Sequence, residues 1–416
     1  MPFKAVRGMK DILPEEIDVW NHLERLARQV FQAYHYREIR TPIVEETEPE
    51  LFVRGVGETS DIVSKQMYAF PDRKGRSLAL RPEGTAPVIR AYLEHGLDRQ
   101  GSLLKLFYLG PFFRSERPQA GRGREFHQIG AEAIGSENPA LDAEVIALAI
   151  HLLKAFGLEG LKTNLNSIGC PSCQPDYRKV LIKYLRSKSD SLCSDCRDRT
   201  ERNPLRVLDC KREKCRPLIE KAPSISGYLC PACAEHFQRV QTHLDDLGVE
   251  YSLDPYLVRG LDYYTRTAFE IAYEHLGAQN AVAAGGRFDG LIEELGGVST
   301  PAVGFALGME RVILAKGKEL EMPTCRISVY LAPQGEEAGR ETVKLLQRLR
   351  GEGIDSDMDY QGRSLKSQLR LANRLQAKYV VIISEKETVI LKDMQSGEQE
   401  EMEQGLVVKK IKEKLS

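Results

Sequence analysis

Leu257-Val258-Arg259-Gly260-Leu261-Asp262-Tyr263-Tyr264-Thr265-Arg266-Thr267-Ala268-Phe269-Glu270 has two characters. Its second half alternates apolar and polar residues like a half-buried strand. Its first half carries a charged Arg259 and a Gly260 into what should be the floor of a site. An edge strand with the Tyr263/Tyr264 pair packing outward is the plain alternative, but such a run is odd for a mere core.

Around this stretch lies an ordinary globular composition. A chain of 416 residues is too long for one core and predicts two or three domains. The net charge of -1 argues against coating nucleic acid by bulk electrostatics and leaves local basic patches open. No run approaches the roughly 18 apolar residues of a membrane span. Met1-Pro2-Phe3-Lys4 lacks the apolar core of a signal peptide, so a cytoplasmic protein with no membrane contact is expected.

Pro14-Glu15-Glu16 opens a helix, with Ile17, Trp20, Leu23, Ala27, Val30, Phe31 and Tyr34 on one apolar face. A strand over Arg37 to Val44, broken by Pro42, follows. Ser77 to Leu80 reads as a strand running into a Pro82/Gly84 turn, which leaves Glu83 at a strand end, able to receive an amine or to cap the helix from Ala86 to Leu93. Leu104 to Glu116 is a mostly apolar strand, and after a basic Gly-rich loop a second strand runs from Phe126 to Glu132. Period-2 alternation sends Phe126, Gln128, Gly130 and Glu132 to one face, which suggests a pocket floor. Asn280 to Leu291 gives a strand whose Gly285-Gly286 pair would let a ligand approach the backbone. Val303 to Ile313 is a Gly-containing strand turning into a helix that bears Arg311.

Eight of nine cysteines fall in four close pairs: Cys170/Cys173, Cys193/Cys196, Cys210/Cys215 and Cys230/Cys233. In a reducing cytosol this spacing suits two zinc sites of four thiolates each, although which pairs converge is open. Small buried residues or disulfides are the alternatives. Between Asp176 and Lys221, 14 Lys/Arg face 8 Asp/Glu, an excess that suits phosphate contacts. A polar linker near Lys316 to Pro323 precedes alternating strands and helices, a compact α/β domain of about 90 residues. There Arg363, Lys366, Arg370 and Arg374 share a helix face, either solvated or facing nucleic acid.

Arg259-Gly260-Leu261-Asp262-Tyr263-Tyr264, with Thr265 to Glu270 behind it, resembles the histidine-specific signature of histidyl-tRNA synthetases. The first helix and strand, the Phe112-Phe113-Arg114-Ser115-Glu116 loop-and-strand unit and the Val303 to Ile313 unit resemble motifs 1, 2 and 3 of class II synthetases. The resemblance implies an α+β catalytic domain on an antiparallel sheet over 1–321, interrupted by a helical cysteine-rich module at 170–234. It further implies an anticodon-binding α/β domain at 322–416 and a homodimer. It implies a histidine–tRNA ligase using L-histidine, ATP with Mg2+ and tRNA(His), with structural Zn2+ in the module as a further expectation. Arg114, Arg259 and Arg311 would hold the phosphates, and Glu116 and Phe126 the adenine. Glu83, Thr85, Gln128, Glu132, Tyr263 and Tyr264 would receive histidine. Arg117 and Gln119 would sense an extra 5′ guanosine. The chain departs from the family at Phe288 and Ala284, where Tyr and, in some members, Gly stand. The other reading is a histidine-binding, synthetase-like regulatory subunit of ATP phosphoribosyltransferase; such paralogues resemble the catalytic domain alone and tend to lose the arginines retained here.

Overall fold

The computed structural model describes residues 3–47, 51–57, 60–101, 103–119, 121–277, 280–317, 327–384 and 388–415. The chain forms two compact units, Met1–Leu320 and Glu321–Ser416. The polar linker expected near Lys316 to Pro323 falls mostly on residues 318–326, outside those described.

The first unit contains strands β1 (Arg37–Glu38), β2 (Val44–Glu46), β3 (Tyr68–Pro71), β4 (Ser77–Leu80), β5 (Leu104–Phe113) and β6 (Glu125–Ile134). These are followed by β7 (Leu161–Ser167), β8 (Ser252–Leu253), β9 (Thr265–Tyr273), β10 (Ala281–Arg287) and β11 (Ala302–Gly308). Eight of them make one sheet in the order β1-β5-β6-β11-β10-β9-β7-β8. The expected antiparallel sheet is antiparallel through its centre but mixed, because the edge pairs β1/β5 and β7/β8 run parallel. Those two pairs are added by crossovers from distant segments, where no tight hairpin dictates direction. The strand expected over Arg37 to Val44 is divided: β1 joins the large sheet and β2 joins a separate sheet, β2-β4-β3. Arg81 occupies the break, donating to the Thr41 carbonyl at 2.8 Å beside Pro42.

Alternation along β5 and β6 divides the core between two faces. Phe107, Ile129 and Ala131 pack with the helices Pro14–Ala33 and Pro139–Ala155 on one side. Tyr108, Phe112, Tyr263, Tyr264 and Phe288 lie on the other, in the same core as Tyr177, Leu181, Leu185, Cys193 and Cys196 of the cysteine-rich module. That module is helical, built on Gln174–Arg186, Ser194–Arg202, Leu205–Leu208, Arg216–Ile219 and the first part of Pro231–Asp246. It therefore shares its hydrophobic core with the site-bearing face of the sheet.

The second unit orders its strands β13-β12-β14-β15-β16, with β12 Ile327–Pro333, β13 Ser356–Met358, β14 Ala377–Ile383, β15 Thr388–Asp393 and β16 Gln399–Glu403. Sequence patterning misses β16, because Gln399-Glu400-Glu401-Met402-Glu403 has no apolar alternation. It is an edge strand with mostly exposed side chains, where charge is tolerated. The basic row also changes: Arg363 precedes the helix Leu365–Arg374 and pairs with Asp359 at 3.1 Å. Lys366, Arg370 and Arg374 remain exposed on the helix.

No helix among the described residues is long and apolar enough to cross a membrane.

Candidate active site

A cavity of about 480 Å³ lies on the second face of the large sheet. Its lining includes Glu83, Thr85, Arg114, Glu116, Phe126, Gln128, Arg259, Tyr263, Tyr264 and Arg311. Residues as far apart in the chain as Glu83 and Arg311 are thus brought together, with Glu132 the one expected pocket residue outside the lining.

Each is placed by its element. Glu83 stands at the start of the helix Thr85–Glu94, where its carboxylate accepts from the Thr85 and Ala86 amides, both at 2.8 Å. Capping and site-lining thus coincide in one side chain. Burial pushes the Glu83 carboxyl above its ordinary range, opposed by those amides and by Arg114. The strand expected over Leu104 to Glu116 stops at Phe113, since the Arg114 amide bonds Arg124 and the Ser115 amide bonds Gln66 at 2.7 Å, out of the ladder. Arg114 donates to the Pro82 carbonyl at 2.8 Å and lies over the Phe126 ring at 5.1 Å. Burial lowers its pKa, yet a guanidinium stays charged. Glu116 pairs with Arg122 at 3.3 Å. Arg259 pairs with Glu270 at 3.1 Å, and Arg311 donates to the Ala281 carbonyl.

Gln128 lines the cavity with its Oε1 unpartnered, and Arg259 does so with its Nε unpartnered. Buried polar atoms without partners are costly, so these are positions prepared for a polar ligand. Tyr263 and Tyr264 stack obliquely at 4.6 Å, and burial drives the Tyr264 hydroxyl to about 12, so it enters as a neutral donor or acceptor.

Glu132 lies beneath the floor, 1% exposed, accepting from the Thr85 hydroxyl at 2.7 Å. The ring of Tyr108 fills the space over Gly130, between Gln128 and Glu132 along β6; a Cβ on Gly130 would meet it at 2.3 Å. Desolvation raises the Glu132 carboxyl well above its ordinary value. Of the two departures, Ala284 lines the cavity, whereas Phe288 is buried edge-on to Tyr263 at 5.7 Å. The glycine pair expected to admit a ligand instead admits neighbouring strands: a Cβ on Gly285 would stand 2.1 Å from the Gly304 carbonyl, and one on Gly286 2.4 Å from that of Thr267.

The cysteines converge in two groups, Cys170/Cys173/Cys230/Cys233 and Cys193/Cys196/Cys210/Cys215, each with all four sulfurs within 4.8 Å of one another. None of the eight is in a disulfide. The 3.6 Å separation of Cys170 from Cys173 and the 4.0 Å of Cys193 from Cys210 approach the roughly 3.8 Å edge of a tetrahedron with 2.3 Å metal–sulfur bonds. The module's basic excess is partly neutralised, Arg186 and Arg212 pairing with Glu201 and Asp195 inside it and Arg199 and Arg206 with Asp61 outside it.

The family model for histidyl-tRNA synthetase matches residues 8–312, and that for an anticodon binding domain matches residues 328–414. The chain belongs to the histidyl-tRNA synthetase family. A histidine–tRNA ligase of Halothermothrix orenii is 53% identical over 408 residues, covering 97% of each chain. That of Desulforamulus reducens is 52% identical over 402 residues, covering 95% of this chain and 96% of its own. The crystal structure of apo histidyl-tRNA synthetase from S. aureus superposes with a TM-score of 0.83 at 39% identity, covering 99% of this chain and 100% of that one. As in these relatives, the similarity runs through both units of the synthetase.

Sequence reading missed Tyr108, Arg122, Arg206 and Glu310 in the cavity lining. Tyr108 carried a usable signal, since it alternates with Phe112 and so faces the site side of β5. Arg206 carried none, because its partners lie far away in sequence.

Proposed function

We infer that the protein is a histidine–tRNA ligase. The carboxylate of L-histidine attacks the α-phosphorus of ATP, the bond to pyrophosphate breaks, and histidyl-adenylate forms. A ribose hydroxyl at the 3′ end of tRNA(His) then attacks the acyl carbon and AMP leaves. The observation that carries this reading is the gathering of Arg114, Arg259 and Arg311 in one cavity with Glu83, Gln128 and Tyr264. Three fixed guanidinium groups hold two anions together and stabilise the charge added in the transition state, so no protein nucleophile is needed. Mg2+ accompanying ATP would neutralise part of its phosphate charge.

Arg114 and Arg259 take the α-phosphate and Arg311 the γ-phosphate, while Glu116 and Phe126 receive the adenine. Glu83 and Thr85 receive the α-ammonium. Gln128, Tyr263 and Tyr264 form the wall around the side chain, with Tyr264 bonding one imidazole nitrogen. The imidazole-reading role of Glu132 requires access that the Tyr108 ring and Thr85 now limit. The regulatory-subunit reading is disfavoured by full-length similarity to ligases and by retention of all three arginines.

The two thiolate tetrads suit structural Zn2+, which would supply cross-links but no chemistry at the phosphates. The protein is a cytoplasmic homodimer in this reading. Exposed Ile43, Val44 and Phe70 on or beside the small sheet supply an apolar patch for the partner. The residues 170–234 act as the module beside the site, and 322–416 read the anticodon through Lys366, Arg370 and Arg374.

Charging of tRNA(His) with labelled histidine tests the reading. Esterification that depends on ATP, Mg2+ and tRNA(His) is expected. Histidine binding with no transfer to any tRNA would instead establish the regulatory function.

A further inference from the structure

The cysteine-rich module holds the segments beside the cavity through three side chains, all carried between the two halves of one thiolate tetrad, and one of them, Arg206, lines the cavity itself. The helix Ser194–Arg202 starts at Cys193, whose sulfur accepts from the Cys196 amide at 3.4 Å. The Cys215 sulfur accepts from the Cys193 amide at 3.3 Å. The tetrad therefore ties residues 193–196 to residues 210–215, and the intervening segment carries Arg199, Asn203 and Arg206. Arg199 donates to Asp61 at 2.5 Å. Asn203 donates to Asp262 at 2.8 Å. Arg206 donates to the same Asp61 oxygen at 3.2 Å and to the Arg259 carbonyl at 3.3 Å. Arg206 is only 7% exposed, and its Nη1 stands 3.0 Å from where a Cβ on Gly260 would lie. Arg259-Gly260-Leu261-Asp262 is thus gripped at both ends by the module, while the Arg259 guanidinium pairs with Glu270.

We propose that Arg206 is a positioning residue for adenylation, and that metal bound by Cys193, Cys196, Cys210 and Cys215 is what keeps it on the Arg259 peptide. This rests on the ligase and zinc readings above. The geometry gives the reason. One guanidinium serves two acceptors on different segments, so its effect depends on the rigidity of its own backbone. Short helices such as Leu205–Leu208 have little stability alone, and cross-linking their flanks supplies the rigidity. Arg259 is then presented to the phosphates from a fixed peptide, with less ordering left to the moment of binding.

The test uses the full-length protein and three variants, reading zinc content, histidine-dependent pyrophosphate exchange and amide hydrogen exchange at residues 257–262. Arg206→Lys keeps the charge but loses the fork. It is expected to retain two zinc ions per chain, lower kcat about 10- to 100-fold with a smaller change in the KM for ATP, and speed amide exchange at 257–262. Cys215→Ser is expected to lose one zinc and show the same acceleration there. Arg186→Ala, on the module's outer face with Glu201, is expected to match the parent in all three readings. Arg206→Lys with parental kcat and parental protection at 257–262 would overturn the positioning role, and it decides the matter if Cys215→Ser does not fold. Cys215→Ser with one zinc fewer but undisturbed protection would overturn the role of the metal clamp, as would protein purified without chelator that holds no zinc. Amide exchange needs no turnover, so it tests the positioning even if the protein activates no amino acid, an outcome that would defeat only the ligase reading.

Discussion

Glu132 shows how much one side chain's surroundings decide. A Cβ on Gly304, directly across the ladder, would stand 1.8 Å from its Oε2, so the opposing strand leaves room for this carboxyl only because glycine is there. That same Oε2 has no hydrogen-bond partner, and desolvation favours the protonated form. The folded-state pKa lies above the ordinary 4.5, so between those two values the folded protein binds a proton that the unfolded chain has released. Stability therefore falls as pH rises through that interval. Glu132→Gln is expected to flatten the decline above about pH 4.5 in urea unfolding of the unliganded protein, leaving the smaller slope due to Glu83, whose carboxyl is also raised. An unaltered slope would show that Glu132 is ionised in the folded state.

Between elements, an ion pair joins the helix Pro139–Ala155 to β10. Asp142 and Arg287 are both fully buried and meet at 2.5 Å, with Asp289 3.1 Å from the same guanidinium and His236 3.2 Å from the same carboxylate. Asp142→Ala strands a buried guanidinium, and a loss of about 3–5 kcal/mol is expected from denaturant unfolding. A loss below about 1 kcal/mol would mean that Asp289 and the Ser136 carbonyl, which also accepts from Arg287, suffice. None of this was legible in the sequence, because pairing across 145 positions leaves no local trace. What was legible followed a period: the Pro14–Ala33 helix from its apolar face, and β6 and β9 from alternation. The set Phe126, Gln128 and Glu132 was correctly assigned to one face, yet only two of them line the cavity, since Tyr108 arrives from β5 to cover Gly130. Which cysteines converge was equally hidden: Cys170/Cys173 meets Cys230/Cys233 across the module, not the next pair in the chain.

At the scale of the molecule, two compact units divide the work. The cavity belongs wholly to the first, and the second has a core of its own around Val329, Leu345, Tyr379, Val381 and Ile411. Removing Glu321–Ser416 is expected to preserve histidine-dependent pyrophosphate exchange while lowering the kcat/KM for tRNA(His) about 100-fold or more, since a second attachment point is lost. Equal loss of both activities would show that the first unit does not form its site alone. In this reading one cavity both selects histidine and activates it with ATP. The most direct test is exchange of labelled pyrophosphate into ATP with each of the twenty amino acids in turn, alongside Arg259→Ala. Exchange with histidine alone, nearly abolished in Arg259→Ala although the variant remains folded, is the predicted result. No exchange with any amino acid despite measurable histidine binding, or near-normal turnover in Arg259→Ala, would contradict it.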